Sequence, residues 1–302
     1  MPKNIGASVR AKLFNIARQR GQVFDVVLTM FVLERLLFRL SGSRFSDQFV
    51  LKGAMLLATW LPDFHRVTRD LDLLGFGSSV PEKVAEIFHE VVDIKCPDGV
   101  EFDTKSIRVE RIREEQEYGG LRLRAIATLS DARIPVIVDI GFGDAVAPGL
   151  RDIEYPALLD FPVAKIRAYA PETVVAEKFQ AMVALGRVNS RMKDFYDIWM
   201  LSRIFDFNRD SLAQAIAATF CRRGTEIPTQ RPAALTQNFS LEPIKINQWR
   251  SFTEDLAVTA PDLSAVVEDL AGFLMPAAVE ANRCRDKVLD DLAKRGQEFD
   301  AA

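Results

Sequence analysis

Two carboxylates spaced two residues apart in an apolar strand, Asp70-Leu71-Asp72-Leu73, constrain this chain more than any other feature. Alternation along a strand sends residues i and i+2 to one face, so Asp70 and Asp72 are expected to point at the same spot. Like charges held that close repel unless a cation lies between them. Just upstream, Phe49-Val50-Leu51-Lys52-Gly53-Ala54-Met55-Leu56-Leu57 reads as a short strand, a glycine turn and a helix running to about Trp60. Such a helix leaves its first N–H groups unpaired at the positive end of its dipole. A glycine there lets an anion approach the backbone. The two segments together suggest a phosphate cradle beside a metal site.

Composition narrows the class. The chain has 302 residues, 48% of them hydrophobic and 27% charged, which fits a soluble protein with a real core and room for two domains. The apolar run Val26–Leu33 is closed at once by Glu34 and Arg35 and is far short of the roughly 20 residues a bilayer needs. The N-terminal residues Met1-Pro2-Lys3-Asn4 lack a signal-peptide pattern. Cys96, Cys221 and Cys284 are far apart without metal-ligand spacing, so reduced thiols, a cytoplasmic location and no membrane partner are expected. His65 and His89 are the only histidines, too few for a histidine-based hydrolase or zinc site, and both read as structural or surface residues. Walker A, Gly-x-Ser-x-Gly and CxxC patterns are absent. Net charge is −3, yet the start of the chain carries Lys3, Arg10, Lys12, Arg18, Arg20, Arg35, Arg39 and Arg44 against Asp25 and Glu34. Those cations either hold a phosphate backbone or are solvated helix faces.

Periodicity predicts two helices over 7–40 around Gly21, a strand at Phe49–Leu51, a strand from Asp70 to Phe76 and a helix from Pro81 to about Val92. The segment 101–129 alternates as a hairpin across Tyr118-Gly119-Gly120, and Pro135–Ile140 reads as a buried strand. After Pro162 the pattern turns helical, at roughly 171–185, 190–205, 209–220, 245–258, 262–274 and 276–296. The expected organisation is α+β: N-terminal helices over 1–45, a mixed sheet with flanking helices over 46–165, and a mainly helical domain over 166–302.

Three further features carry chemistry. Asp139 closes an apolar strand where packing alone explains a charge poorly. With Asp70 and Asp72 it would supply oxygen ligands for two hard divalent cations. Lys178 falls inside the apolar arc Val174, Val175, Met182 and Leu185 of the helix over 171–185, with Glu177 and Gln180 outside it. It must snorkel, pair with a carboxylate or meet a ligand such as phosphate. Asp194 and Asp197, at i and i+3 of the next helix, repel unless a cation compensates. They either pair with a surface cation such as Lys193, or one of them orients Lys178.

The order FVLKGAMLLATW, RVTRDLDLLGFG, VDIGFGD and PETVVAEKFQAMVALGRVNSRMKDFYDIWML resembles the AbiEii/AbiGii toxin family, from about residue 10 to 275. The resemblance implies a minimal nucleotidyltransferase fold, related to the MenT toxins and more distantly to DNA polymerase beta, followed by a helical domain. It implies a toxin of a toxin–antitoxin pair that transfers a nucleotide from an NTP, with magnesium or manganese, onto an acceptor such as the 3′ end of tRNA. A cognate antitoxin encoded nearby is then expected. By position, Lys52, Gly53, Ala54, Arg69 and Lys178 correspond to nucleotide-binding sites. Asp70, Asp72 and Asp139 correspond to metal ligands, and Asp70, Asp72, Lys178 and Asp194 to catalytic residues. Asp197 supports them, while Arg187, Arg191 and Lys193 would bind the acceptor. Ala54 departs from the Ser, Thr or Gly common after the loop glycine, so phosphate is left to backbone N–H groups. Two other readings stay open: transfer to a protein or small-molecule hydroxyl, and a non-catalytic regulator using residues 7–40 as a helix-turn-helix.

Overall fold

A computed structural model of the chain describes residues 5–60, 68–112, 119–254, 256 and 260–299. His65, the end of the helix at Leu61-Pro62-Asp63, Tyr118 of the expected turn and the first four residues lie outside the described residues. The chain divides into two compact units, one of residues 1–143 and 151–168, the other of 144–150 and 169–302.

The first unit is built on a seven-stranded mixed sheet. Its strands are β1 (Phe49–Lys52), β2 (Leu71–Gly75), β3 (Val100–Ile112), β4 (Gly120–Leu129), β5 (Ala132–Phe142), β6 (Leu150–Tyr155) and β7 (Ala164–Tyr169), in the order β3-β4-β5-β2-β1-β7-β6. Strand β2 runs antiparallel to β1 and parallel to β5. The hairpin of β3 with β4 forms as its alternation predicts. The tightest connection lies one strand later, where Leu129 pairs with Ala132 across Ser130-Asp131, with Ser130 at φ 57°. Strands β6 and β7 are not foreseen by the apolar pattern. Leu150-Arg151-Asp152-Ile153-Glu154-Tyr155 is largely polar and mostly exposed because β6 is an edge strand.

Helices α1 (Ile5–Arg20) and α2 (Phe24–Ser41) flank this sheet with α3 (Gly53–Trp60) and α4 (Pro81–Asp93). Alternate rows of the sheet explain its two faces. Leu51, Leu73, Ile140 and Leu121 sit side by side on β1, β2, β5 and β4, each at most 1% exposed. The neighbouring row is polar and half-buried, and it carries the carboxylates. Helix α2 buries twelve of its 18 residues, Arg35 and Arg39 among them. These two arginines are therefore withdrawn from the basic surface read in the sequence. Arg39 donates to both oxygens of Asp98, at 2.7 and 3.0 Å, and Arg35 donates to Asp98 at 3.0 Å and to the Pro162 carbonyl at 2.9 Å. A helix so enclosed offers no recognition face, and the helix-turn-helix reading loses its physical basis.

The second unit contains α5 (Pro171–Leu185), α6 (Met192–Ile204), α7 (Arg209–Arg222), the short α8 (Gln237–Ser240), α9 (Pro243–Glu254) and α10 (Leu263–Phe299). Helix α5 begins at Pro171 and is closed by Gly186 at φ 51°. Asn208 caps α7 by accepting from the N–H groups of Asp210 and Ser211. The two helices expected over 262–296 are one. Pro276 lies inside α10 instead of dividing it, because apolar contacts of Leu274, Ala277, Ala278 and Ala281 continue past it. The core pairs Phe179 with Phe220 and stacks Phe195 on Phe239, with ring centroids 5.3 and 5.5 Å apart. No helix among the described residues is long and apolar enough to cross a membrane.

Glu34, 2% exposed, is a buried acid whose protonation depends on the fold. Burial pushes its carboxyl up to about 7 against the pull of the Leu158 N–H and Arg35. A raised carboxyl stabilises the fold fully below its unfolded value and loses that contribution as pH climbs through its folded value. Denaturant titrations between about pH 5 and pH 8 should show the wild type losing up to about 3 kcal/mol relative to Glu34→Gln.

Candidate active site

Strand register assembles the polar row. Lys52 on β1 lies opposite Asp72 on β2, Asp72 opposite Asp139 on β5, Asp139 opposite Arg122 on β4, and Arg122 opposite Glu110 on β3. Laterally paired residues share a face, so five charges from five strands stand in one line. Asp70 immediately precedes β2 and joins Asp72 by alternation. Oxygen atoms of Asp70, Asp72 and Asp139 lie within 4.8 Å of one another, and all three side chains are half-buried. The Thr68 hydroxyl, on a residue 4% exposed, donates to Asp70 Oδ1 at 3.1 Å and orients it. Arg69, immediately before Asp70, is exposed.

Gly53 has a more specific role here than a turn. It opens α3 at φ 70°, a left-handed value that favours glycine. A Cβ built on it would fall 1.8 Å from Asp72 Oδ2 and 2.5 Å from Asp72 Cβ. Any other residue would therefore displace the carboxylate, and the glycine keeps the start of α3 and Asp72 in contact. Ala54 behind it is buried. A donor set made of three converging carboxylates beside an open helix start fits a hard divalent cation, whose charge would relieve their repulsion.

Arg122 was invisible to the sequence reading. Its guanidinium grips Asp139 with both arms, Nε to Oδ1 and an Nη to Oδ2, each at 2.7 Å. The bond to Asp139 holds Arg122 above its ordinary basicity, aided by the charges of Asp139, Asp70 and Glu110. The signal was present in Leu121-Arg122-Leu123, whose alternation puts Arg122 on the face opposite the core. Its partner followed only from the β4–β5 register.

The second unit brings together the downstream residues. Lys178 Nζ lies 2.7 Å from Asp194 Oδ1 and 2.9 Å from Asp197 Oδ2, with 14% of the lysine side chain exposed and neither aspartate side chain exposed. Arg191 Nε meets Asp194 Oδ2 at 2.6 Å. Burial opposes charge on Lys178, but the two aspartates outweigh it and hold the lysine above its ordinary value. Asp194 is correspondingly held below the usual carboxylate range by Lys178 and Arg191, against its burial. Both aspartates meet Lys178, and Asp194 also meets a surface cation, Arg191. Glu177 and Gln180, placed outside the apolar arc by sequence, face an internal polar layer. Arg223 donates to Gln180 at 3.0 Å and pairs with Asp144 at 3.2 Å and Glu177 at 3.4 Å. Arg191 and Lys193 line a groove of about 590 Å³ with Asn247, Gln248, Ser251 and Phe252, and no carboxylate lines it among the described residues. Arg187 is not among its lining residues and pairs with Glu242 at 2.7 Å.

A mixed sheet that presents an acidic triad beside a strand–glycine–helix turn places the protein among the nucleotidyltransferases. It belongs to the AbiEii family: the family described as the nucleotidyl transferase AbiEii toxin of a type IV toxin–antitoxin system matches residues 35–277. Among solved structures the chain is similar to JHP933 from Helicobacter pylori, at 16% identity and a TM-score of 0.46, over 89% of this chain and 97% of that one. It is similar to the same degree, 16% and 0.46, to an H. pylori chain described as a candidate nucleotidyltransferase, over 86% of this chain and 96% of that one. No curated protein matches it significantly.

Two substitutions separate the sites' structural demands. Lys178→Met removes the cation shared by two buried aspartates, leaving Asp194 with Arg191 at its exposed end, and should destabilise the protein by about 3–5 kcal/mol in denaturant titrations. Gly53→Ala meets both the positive φ and Asp72, and should lower stability by about 1–3 kcal/mol in the same measurement.

Proposed function

We propose that the protein is a magnesium- or manganese-dependent toxin that transfers a nucleotide from an NTP to the 3′ end of tRNA, restrained by an antitoxin encoded nearby. The observation that carries the reading is the register of Asp72 against Asp139, with Asp70 beside them and the three sets of oxygens within 4.8 Å. In this reading Asp70, Asp72 and Asp139 hold the metal. A bound divalent cation supplies charge neutralisation at the triphosphate and lowers the pKa of the attacking hydroxyl.

The chain's own residues do the rest. The start of α3 at Gly53 and Ala54 offers N–H groups to phosphate oxygens, and Lys52 and Arg69 add positive charge for the nucleotide. The acceptor 3′ hydroxyl gives up its proton to water as its oxygen bonds to the α-phosphorus, the bond from that phosphorus to the bridging oxygen breaks, and pyrophosphate leaves with that electron pair. Lys178, kept charged by Asp194 and Asp197, is the cation of the second unit that this reading assigns to the nucleotide. The segments 1–45, 46–165 and 166–302 would then serve as a supporting helical layer, a catalytic core and an acceptor-binding domain. Arg191 and Lys193 support the RNA assignment because their groove joins two cations with amides, a hydroxyl and an aromatic ring. In this reading Arg187 also contacts the acceptor.

Incubation with each labelled NTP, magnesium and total tRNA should label RNA with at least one nucleotide, and Asp72→Ala should abolish it. Absence of transfer by the wild type with every nucleotide, or equal transfer by Asp72→Ala, overturns the reading. Label in protein or a small molecule, and not in RNA, would move the acceptor to that class. Lys193→Glu should weaken RNA binding about tenfold and flatten its salt dependence by at least about one phosphate contact, measured by fluorescence anisotropy.

A further inference from the structure

Arg122 takes part in no step described above, yet it occupies one of the three carboxylates. Both oxygens of Asp139 accept from its guanidinium at 2.7 Å. Forked pairs of this kind fix orientation as well as charge. The pairing is built into the sheet, because the two-residue turn at Ser130-Asp131 sets the register that puts Arg122 opposite Asp139. Asp70 differs in kind: it accepts from the neutral hydroxyl of Thr68. Three carboxylates and one guanidinium leave a local charge of −2, to which Lys52 and Glu110 of the same row add nothing net, and one divalent cation balances it. A second divalent cation would make the cluster positive until the highly anionic triphosphate arrived with it.

We propose that Arg122 is a positioning residue that engages Asp139 and limits the nucleotide-free site to one divalent cation, held by Asp70 and Asp72. The second cation then enters only with the NTP, whose phosphate oxygens supply ligands and charge. Arg122 thereby couples metal loading to substrate binding and prevents a fully charged metal pair from forming without nucleotide. This inference rests on the proposed metal-dependent transfer.

The test is a Mn2+ titration of the full chain, with free ion followed by electron paramagnetic resonance, and its readout is stoichiometry instead of activity. Wild type should bind one ion without nucleotide and two with a non-hydrolysable NTP analogue. Arg122→Ala should bind two without nucleotide, the first about tenfold more tightly than wild type. Arg122→Ala combined with Asp139→Asn should return to one ion, which shows that the gain acts through Asp139 and that the variant site is still folded. Two ions on nucleotide-free wild type, or one ion of unchanged affinity on Arg122→Ala, overturns the inference while leaving the transfer reading intact. No ion on any of the proteins, with or without nucleotide, overturns both.

Discussion

The mutual repulsion of three carboxylates held within 4.8 Å is the constraint around which the first unit is organised. A sheet tolerates that repulsion only if each acid is fixed from outside the cluster, and each is fixed differently. Asp70 is held by the hydroxyl of Thr68, Asp139 by the fork of Arg122, and Asp72 by the register of β2 and the absence of a side chain at Gly53. The apolar row one residue away, Leu51, Leu73, Ile140 and Leu121, anchors the same strands from the opposite face. Hydrophobic burial on one face thus offsets electrostatic strain on the other, and a single pleat separates the two.

The second unit handles charge in the opposite way. Lys178, Asp194 and Asp197 are almost wholly withdrawn from water and neutralise one another, with Arg191 completing the set at its exposed end. Removing two charges from water is costly, so such a cluster is weak evidence for stability and better evidence that a lysine must be kept protonated and oriented. The arginine cluster around Asp98 follows the same rule, with Arg35 and Arg39 tying α2 to the chain on either side of Asp98. Two of the eight cations that read as basic surface near the start of the chain are internal wiring of this sort.

Local patterns that repeat within a few residues were legible in the sequence. Alternation exposed Asp70 and Asp72, the apolar arc of α5 exposed Lys178, and Pro171 and Gly186 marked that helix's ends. What was not legible depends on register between distant strands or on edge position. Arg122 and Asp139 are 17 residues apart and meet because of where one turn falls. Strand β6 escaped notice because an edge strand needs no apolar face, and Pro276 was read as a break because propensity knows nothing of the packing that carries α10 past it. Gly53 is legible in the sequence as a turn between strand and helix, whereas the room its α-carbon makes for the Asp72 carboxylate is not.

The turn at Ser130-Asp131 gives the site an all-or-none tolerance to changes in length. Side chains alternate faces, so inserting or deleting one residue in β4 ahead of that turn would carry Leu121 or Leu123 to the position opposite Asp139 and turn Arg122 toward the core. Changes in side-chain identity there can be graded, whereas changes in spacing cannot. The chemistry of this family member is therefore written partly in the counting of residues, as a reading frame laid over the folded sheet.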